Sequence, residues 1–131
     1  MTALTFPTRL RPPRPGPAAD RAPLPNQLLF REVNEQLASR LDPTAAAEAE
    51  IEIVCECEHR GCTTAVRLPR RRYEWVRRFP TRFVVSRGHA NPIEERVVER
   101  LGAYEIVEEV GPSAHTAVVF DPRRLTTRAG P

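Results

Sequence analysis

Cysteine and histidine dominate the chemistry that this sequence can offer. Cys55, Cys57 and Cys62 stand in a Cys-x-Cys-x4-Cys pattern, His59 lies inside that loop, and His89 follows Gly88 in the stretch Ser86-Arg87-Gly88-His89. Thiolates grouped this closely are ligands for a tetrahedral zinc ion, which sits ~2.3 Å from each sulfur. The Arg60-Gly61 turn between the second and third thiol lets the loop fold back, so three sulfurs can converge on one point. The fourth donor is then a histidine or a water. His59 is constrained by the tight loop that carries it, whereas His89 would close the site from a distant segment and tie two parts of the domain together. Without a metal, the cysteines are reduced thiols that pack as small hydrophobes. A Cys-x-Cys disulfide would be strained, which makes a redox switch the weakest of these readings.

Elements on both sides must aim these groups. Ile51 to Cys57 reads as a strand, with Ile51, Ile53, Cys55 and Cys57 on one face and Glu52, Glu56 and Glu58 on the other. A second short strand, Thr64 to Leu68, follows the turn. Pro69 then opens a helix at its first position, with Tyr73, Val76 and Phe79 at buried spacing and Pro80 ending it. Arg82 to Arg87 forms a further strand closed by Gly88. Residues 91–102 read either as a helix or as the first arm of a hairpin. The alternation of Tyr104, Ile106 and Val110 with Glu105 and Glu109 favours the hairpin through Leu101-Gly102-Ala103. Upstream, Asn26 is a candidate N-cap, and Phe30, Val33, Leu37 and Leu41 make an apolar stripe of a helix ending ahead of Pro43. The stretch Thr44 to Glu50 extends a helix or links, and Ser113 caps a last short helix through Phe120. The expected class is α+β: a small antiparallel sheet with two or three helices around a Cys3His metal site.

Composition bounds the rest. A chain of 131 residues has room for one domain, here residues 26–123. Residues 1–25 hold seven of the fourteen prolines and read as a disordered tail, as do residues 124–131. The net charge is only +3, and every basic residue is arginine, a bias that fits a GC-rich genome better than selection for phosphate binding. Three clustered cysteines are not a secreted disulfide framework, nothing resembles a signal peptide, and no apolar run reaches the ~20 residues of a membrane span. A cytoplasmic protein is expected.

The stretch Ile53-Val54-Cys55-Glu56-Cys57, then Gly61-Cys62, Tyr73-Glu74, Val76-Arg77, Pro80-Thr81-Arg82-Phe83 and Gly88-His89 resembles a group of small uncharacterised bacterial proteins. Glu95-Arg96-Val97-Val98-Glu99-Arg100, Tyr104 and the upstream Phe30-Arg31-Glu32-Val33-Asn34-Glu35 match that group too, so the likeness spans roughly residues 29–110. It implies that His89, rather than His59, completes the ligand set, and it implies no activity.

Three functional classes follow. A closed structural-zinc domain suits an interaction or regulatory module with a protein partner. The eight arginines between Arg67 and Arg87, with Trp75 among them, offer a nucleic-acid surface, and solvated arginines over an aromatic ring are the plainer account. A zinc enzyme would need only the three thiols as ligands, leaving a water for Glu58 or His59 to activate. No nucleophile elbow or phosphate-cradling loop accompanies it, and His115 reads as a surface residue.

Overall fold

The computed structural model describes residues 25–44 and 46–124. In chain order these are α1 (Asn26–Ser39), β1 (Glu50–Val54), β2 (Ala65–Pro69), α2 (Arg70–Arg77), β3 (Arg82–Ser86), β4 (Glu95–Arg100), β5 (Tyr104–Glu109) and α3 (Pro112–Val119). The α+β class holds, and the expected sheet is two sheets. β1 and β2 form an antiparallel hairpin whose long loop carries the cysteines, and β3, β5 and β4 form a second antiparallel sheet with β5 in the middle. Both tails expected from the sequence lie outside the described residues, apart from Pro25 and Arg124. Among the described residues no helix is long and apolar enough to cross a membrane.

Alternation builds the small hairpin. Ile51 pairs with Leu68 and Ile53 with Val66, all four buried, while Glu52 and Arg67 face water. Past Val54 the chain leaves this ladder by degrees. Cys55 N still donates to Thr64 O at 2.8 Å, but the next amide, Glu56 N, donates to Val84 O in β3 at 2.8 Å. That change of partner joins the two sheets and turns Glu56 inward, fully buried, where the alternation had placed it in solvent.

Helix α1 departs furthest from expectation. Its buried face is Gln27, Leu28, Arg31 and Asn34, whereas Val33 and Leu37 are exposed and Phe30 and Leu41 only half-buried. Pro25 precedes the first turn and Asn26 caps nothing. The polar face wins because each of its groups finds an internal partner. Asn34 Nδ2 donates to Val54 O and its Oδ1 accepts from Val54 N, both at 2.8 Å, so the amide stands in for the next residue of a neighbouring strand. Arg31 donates to Pro80 O and Ala117 O and lies 4.8 Å over the Phe83 ring. Burial, then the nearby Arg77 charge, lowers its pKa to about 10, so it remains charged at neutral pH.

Smaller corrections follow the same logic. Pro69 ends β2 in extended conformation and stands just before α2 rather than inside it. α2 stops at Arg77, so Phe79 falls beyond the helix, half-buried, with its ring 5.3 Å from that of Trp75. The expected hairpin of β4 and β5 is present, with a register shift between Val97 and Glu99. As the central strand, β5 is covered on both faces, so Glu105 and Glu109 are buried along with Tyr104 and Ile106, and Val110 is exposed. α3 begins at Pro112 after Gly111, so Ser113 is not its cap.

Candidate metal centre

Two turns and one side chain assemble the site. At the end of β3, Gly88 takes φ +81°, a left-handed backbone that glycine adopts without a Cβ penalty, and His89 N returns to Ser86 O at 3.0 Å. The histidine is thereby thrown back over the cysteine loop. Within that loop Gly61 (φ +79°) allows Cys62 N to reach His59 O at 3.2 Å. Asn26 of α1 then pins the loop from outside, its Nδ2 donating to His59 O at 2.9 Å and Cys57 O at 3.4 Å.

The result brings Cys55, Cys57, Cys62 and His89 together, with one donor atom from each lying within 4.8 Å of all the others. His89 Nδ1 is 3.5 Å from Cys55 Sγ and 3.7 Å from Cys62 Sγ. A tetrahedral ion with bonds of ~2.3 Å to sulfur and ~2.0 Å to nitrogen requires S···N separations of about 3.5 Å. The two edges lie within about 0.2 Å of that value. His59 is exposed and outside the cluster; its ring meets that of His89 edge-on, with centroids 5.7 Å apart.

The three thiols differ in surroundings. Burial pushes Cys55 and Cys57 up, with the Ser86 N–H, 3.1 Å from Cys55 Sγ, opposing it for the first and the His59 N–H for the second. At Cys62 burial also raises the pKa, but hydrogen bonding with the Thr64 side chain and backbone and with the two neighbouring thiols outweighs it and brings it down to about 6. A thiolate therefore forms most readily at Cys62, the least buried of the three, and its charge is shared with the sulfurs behind it. Three sulfurs and one imidazole nitrogen make a four-fold donor set that fits a thiolate-binding metal ion.

The sequence reading named Cys55, Cys57, Cys62 and His89, and the structure brings all four together. Glu58 is turned aside to Asn91, whose Nδ2 donates to its Oε1 at 2.8 Å. His115 is exposed on α3, away from the cluster. Missed were Asn26, Asn34 and Glu56, which hold the loop in place. The spacing of Gln27, Arg31 and Asn34 was the available signal, since four and three residues put them on one helical face. No family model matches the chain, and no curated protein or solved structure matches it significantly.

Proposed function

We propose that the chain is a small structural-zinc domain serving as an interaction or regulatory module. One observation carries the reading: four donors from two segments, the β1–β2 loop and the turn after β3, converge within 4.8 Å of one another, with His89 Nδ1 3.5 and 3.7 Å from two of the sulfurs. Zinc there would be held by Cys55, Cys57, Cys62 and His89, and what it supplies is cross-linking. With four protein donors the coordination sphere is closed, so no position is left for a substrate or an activated water. The resemblance to small bacterial proteins with a Cys-Glu-Cys start and a later Gly-His agrees with this ligand set. A cytoplasmic location fits thiols kept reduced for the metal.

The test is metal content. The purified chain is expected to carry one zinc, lost in Cys55→Ser, Cys62→Ser and His89→Ala and retained in His59→Ala. Retention in His89→Ala with loss in His59→Ala would overturn the ligand set, and no metal in the wild type, purified under reducing conditions, would overturn the function.

A nucleic-acid partner is the second reading. A groove of about 610 Å³ beside α2 is lined by Arg70, Arg71, Arg72 and Arg78 around Trp75. Much of that charge is already committed: Arg67 pairs with Glu50, Arg71 with Glu48, Arg72 with Glu99 and Arg82 with Glu108. Arg77 is buried against Glu56, and Arg72 and Arg82 lie over the Trp75 ring that a base would need. A protein partner is therefore favoured. Salt-dependent retardation of nonspecific DNA or RNA would reverse that order.

A further inference from the structure

Next along the cysteine loop from the thiol cluster, three carboxylates from three segments meet. Glu58 follows Cys57, Glu94 precedes β4 and Glu109 ends β5, and one oxygen from each lies within 4.8 Å of the other two. An acidic cluster alone means little, because carboxylates gather on surfaces without a ligand. Here two of the oxygens are not on the surface. Glu109 is 3 % exposed, and its Oε1 has no hydrogen-bond partner among the described residues, although Oε2 accepts from Gln27 Nε2 at 2.6 Å. Glu58 Oε2 is equally enclosed and unpartnered, while Oε1 is held by Asn91. No ion pair among the described residues involves Glu58, Glu94 or Glu109. Such buried oxygens are satisfied either by a proton shared with the neighbouring Glu94 and Glu95 carboxyls, both of which are pushed up, or by a cation, which satisfies several at once.

We propose that Glu58, Glu94 and Glu109 form a second metal site, for a hard divalent cation of the calcium class. Calcium binds carboxylate oxygens at ~2.4 Å, so two oxygens on opposite sides of the ion stand about 4.8 Å apart and adjacent ones closer. The three oxygens of the triad lie within that span of one another. Oxygen-only donors select a different ion from the one the sulfurs take. The entrance is a groove of about 620 Å³ lined by Glu58 and Glu94, with Gln27 and Asn26 on its α1 side and Arg60 at its edge. An ion bound by the triad would tie the cysteine loop to the β4–β5 hairpin, a fastening the thiol cluster does not make. The proposal goes beyond the zinc reading and has its own readout, because the two donor sets share no residue.

Calorimetric titration of the full chain with calcium chloride, its zinc content measured before and after, tests this. One calcium ion per chain is expected, with Kd in the millimolar range or tighter, weakened about tenfold in Glu109→Gln. Glu94→Gln removes an exposed carboxyl, leaves the fold intact and is expected to weaken binding several-fold, with zinc content unchanged in both variants. Two outcomes overturn the proposal: no binding and no rise in Tm at about 10 mM calcium in the folded wild type, or wild-type affinity in Glu94→Gln. A wild type indifferent to calcium, with Glu109→Gln more stable than it, would show that the carboxyls share protons only.

Discussion

Cys55 and Glu56 are consecutive and both fully buried, yet their side chains enter unlike surroundings. The thiol joins Cys57, Cys62 and His89, where the chain supplies donor atoms and few hydrogens to satisfy them. The carboxylate, on the opposite side of the strand's extension, is met by Val84 N–H at 2.9 Å, by Asn34 Nδ2 at 2.8 Å and by the Arg77 guanidinium at 4.0 Å. Tyr73 donates to Glu35, and Arg123 clasps Glu35 and Glu74, which draws the end of the described chain onto α1 and α2. One cluster sets a carboxylate against N–H donors and a guanidinium, and the other groups three sulfurs and an imidazole in a geometry compatible with a metal ion.

That contrast can be broken from either side. The largest effect belongs to the thiol corner. Structural zinc contributes roughly 10–16 kcal/mol in small domains, comparable with or above the whole margin of ~5–15 kcal/mol. Stripping zinc with a chelator, or the Cys62→Ser change, is therefore expected to abolish cooperative thermal unfolding, followed by circular dichroism. A chelated chain that melts at the wild-type temperature would show that the corner is self-sufficient after all.

The buried carboxylate comes next. Glu56→Gln leaves the buried Arg77 charge without its counter-ion, a change that costs ~3–5 kcal/mol where such pairs are cut. Urea unfolding should record this loss while metal content stays at the wild-type level. Loss of zinc in the same variant would merge the two clusters into one unit and end the comparison.

Asn26→Ala is expected to be milder. It removes the hydrogen bonds to the Cys57 and His59 carbonyls, about 1 kcal/mol of net stability, and should quicken zinc transfer to a competing chelator without lowering the stoichiometry. An unchanged transfer rate would mean that the loop holds its shape without α1. Least affected is His59→Ala, whose ring lies outside the donor cluster. Wild-type zinc content and an unshifted melting curve are expected, and any loss of metal would return His59 to the ligand question.

The candidate site was more legible than the core around it. Three of the four clustered donors fall within residues 55–62, so their meeting is a local matter of turn and spacing, and His89 was expected only from the resemblance. The buried arginine and carboxylate network has no such local mark. Arg31, Asn34, Glu56, Tyr73 and Arg77 all lie in stretches quoted for that resemblance, but hydropathy assigns the charged ones to solvent. It did so for the α1 stripe, where Val33 and Leu37 are exposed and Arg31 and Asn34 are buried. A buried guanidinium is tolerable only when carbonyls such as those of Pro80 and Ala117 arrive from remote segments, and nothing in a local window announces them. The carboxylates of β5 were misread for a related reason. Alternation marks one wet face only when a strand has one, and β5 is buried or half-buried at every position.

From the sequence alone came the α+β class, the hairpins, the helix near each proline break and the cluster of thiols, because periodicity, turn chemistry and short-range spacing act within a few residues. The tertiary structure decided which face of α1 goes inward, that Glu56 leaves the surface, and that Glu58, Glu94 and Glu109 share one corner. Those outcomes depend on polar partners that are brought together only when distant segments pack, and burial of a charge is settled by its partners rather than by its own hydropathy.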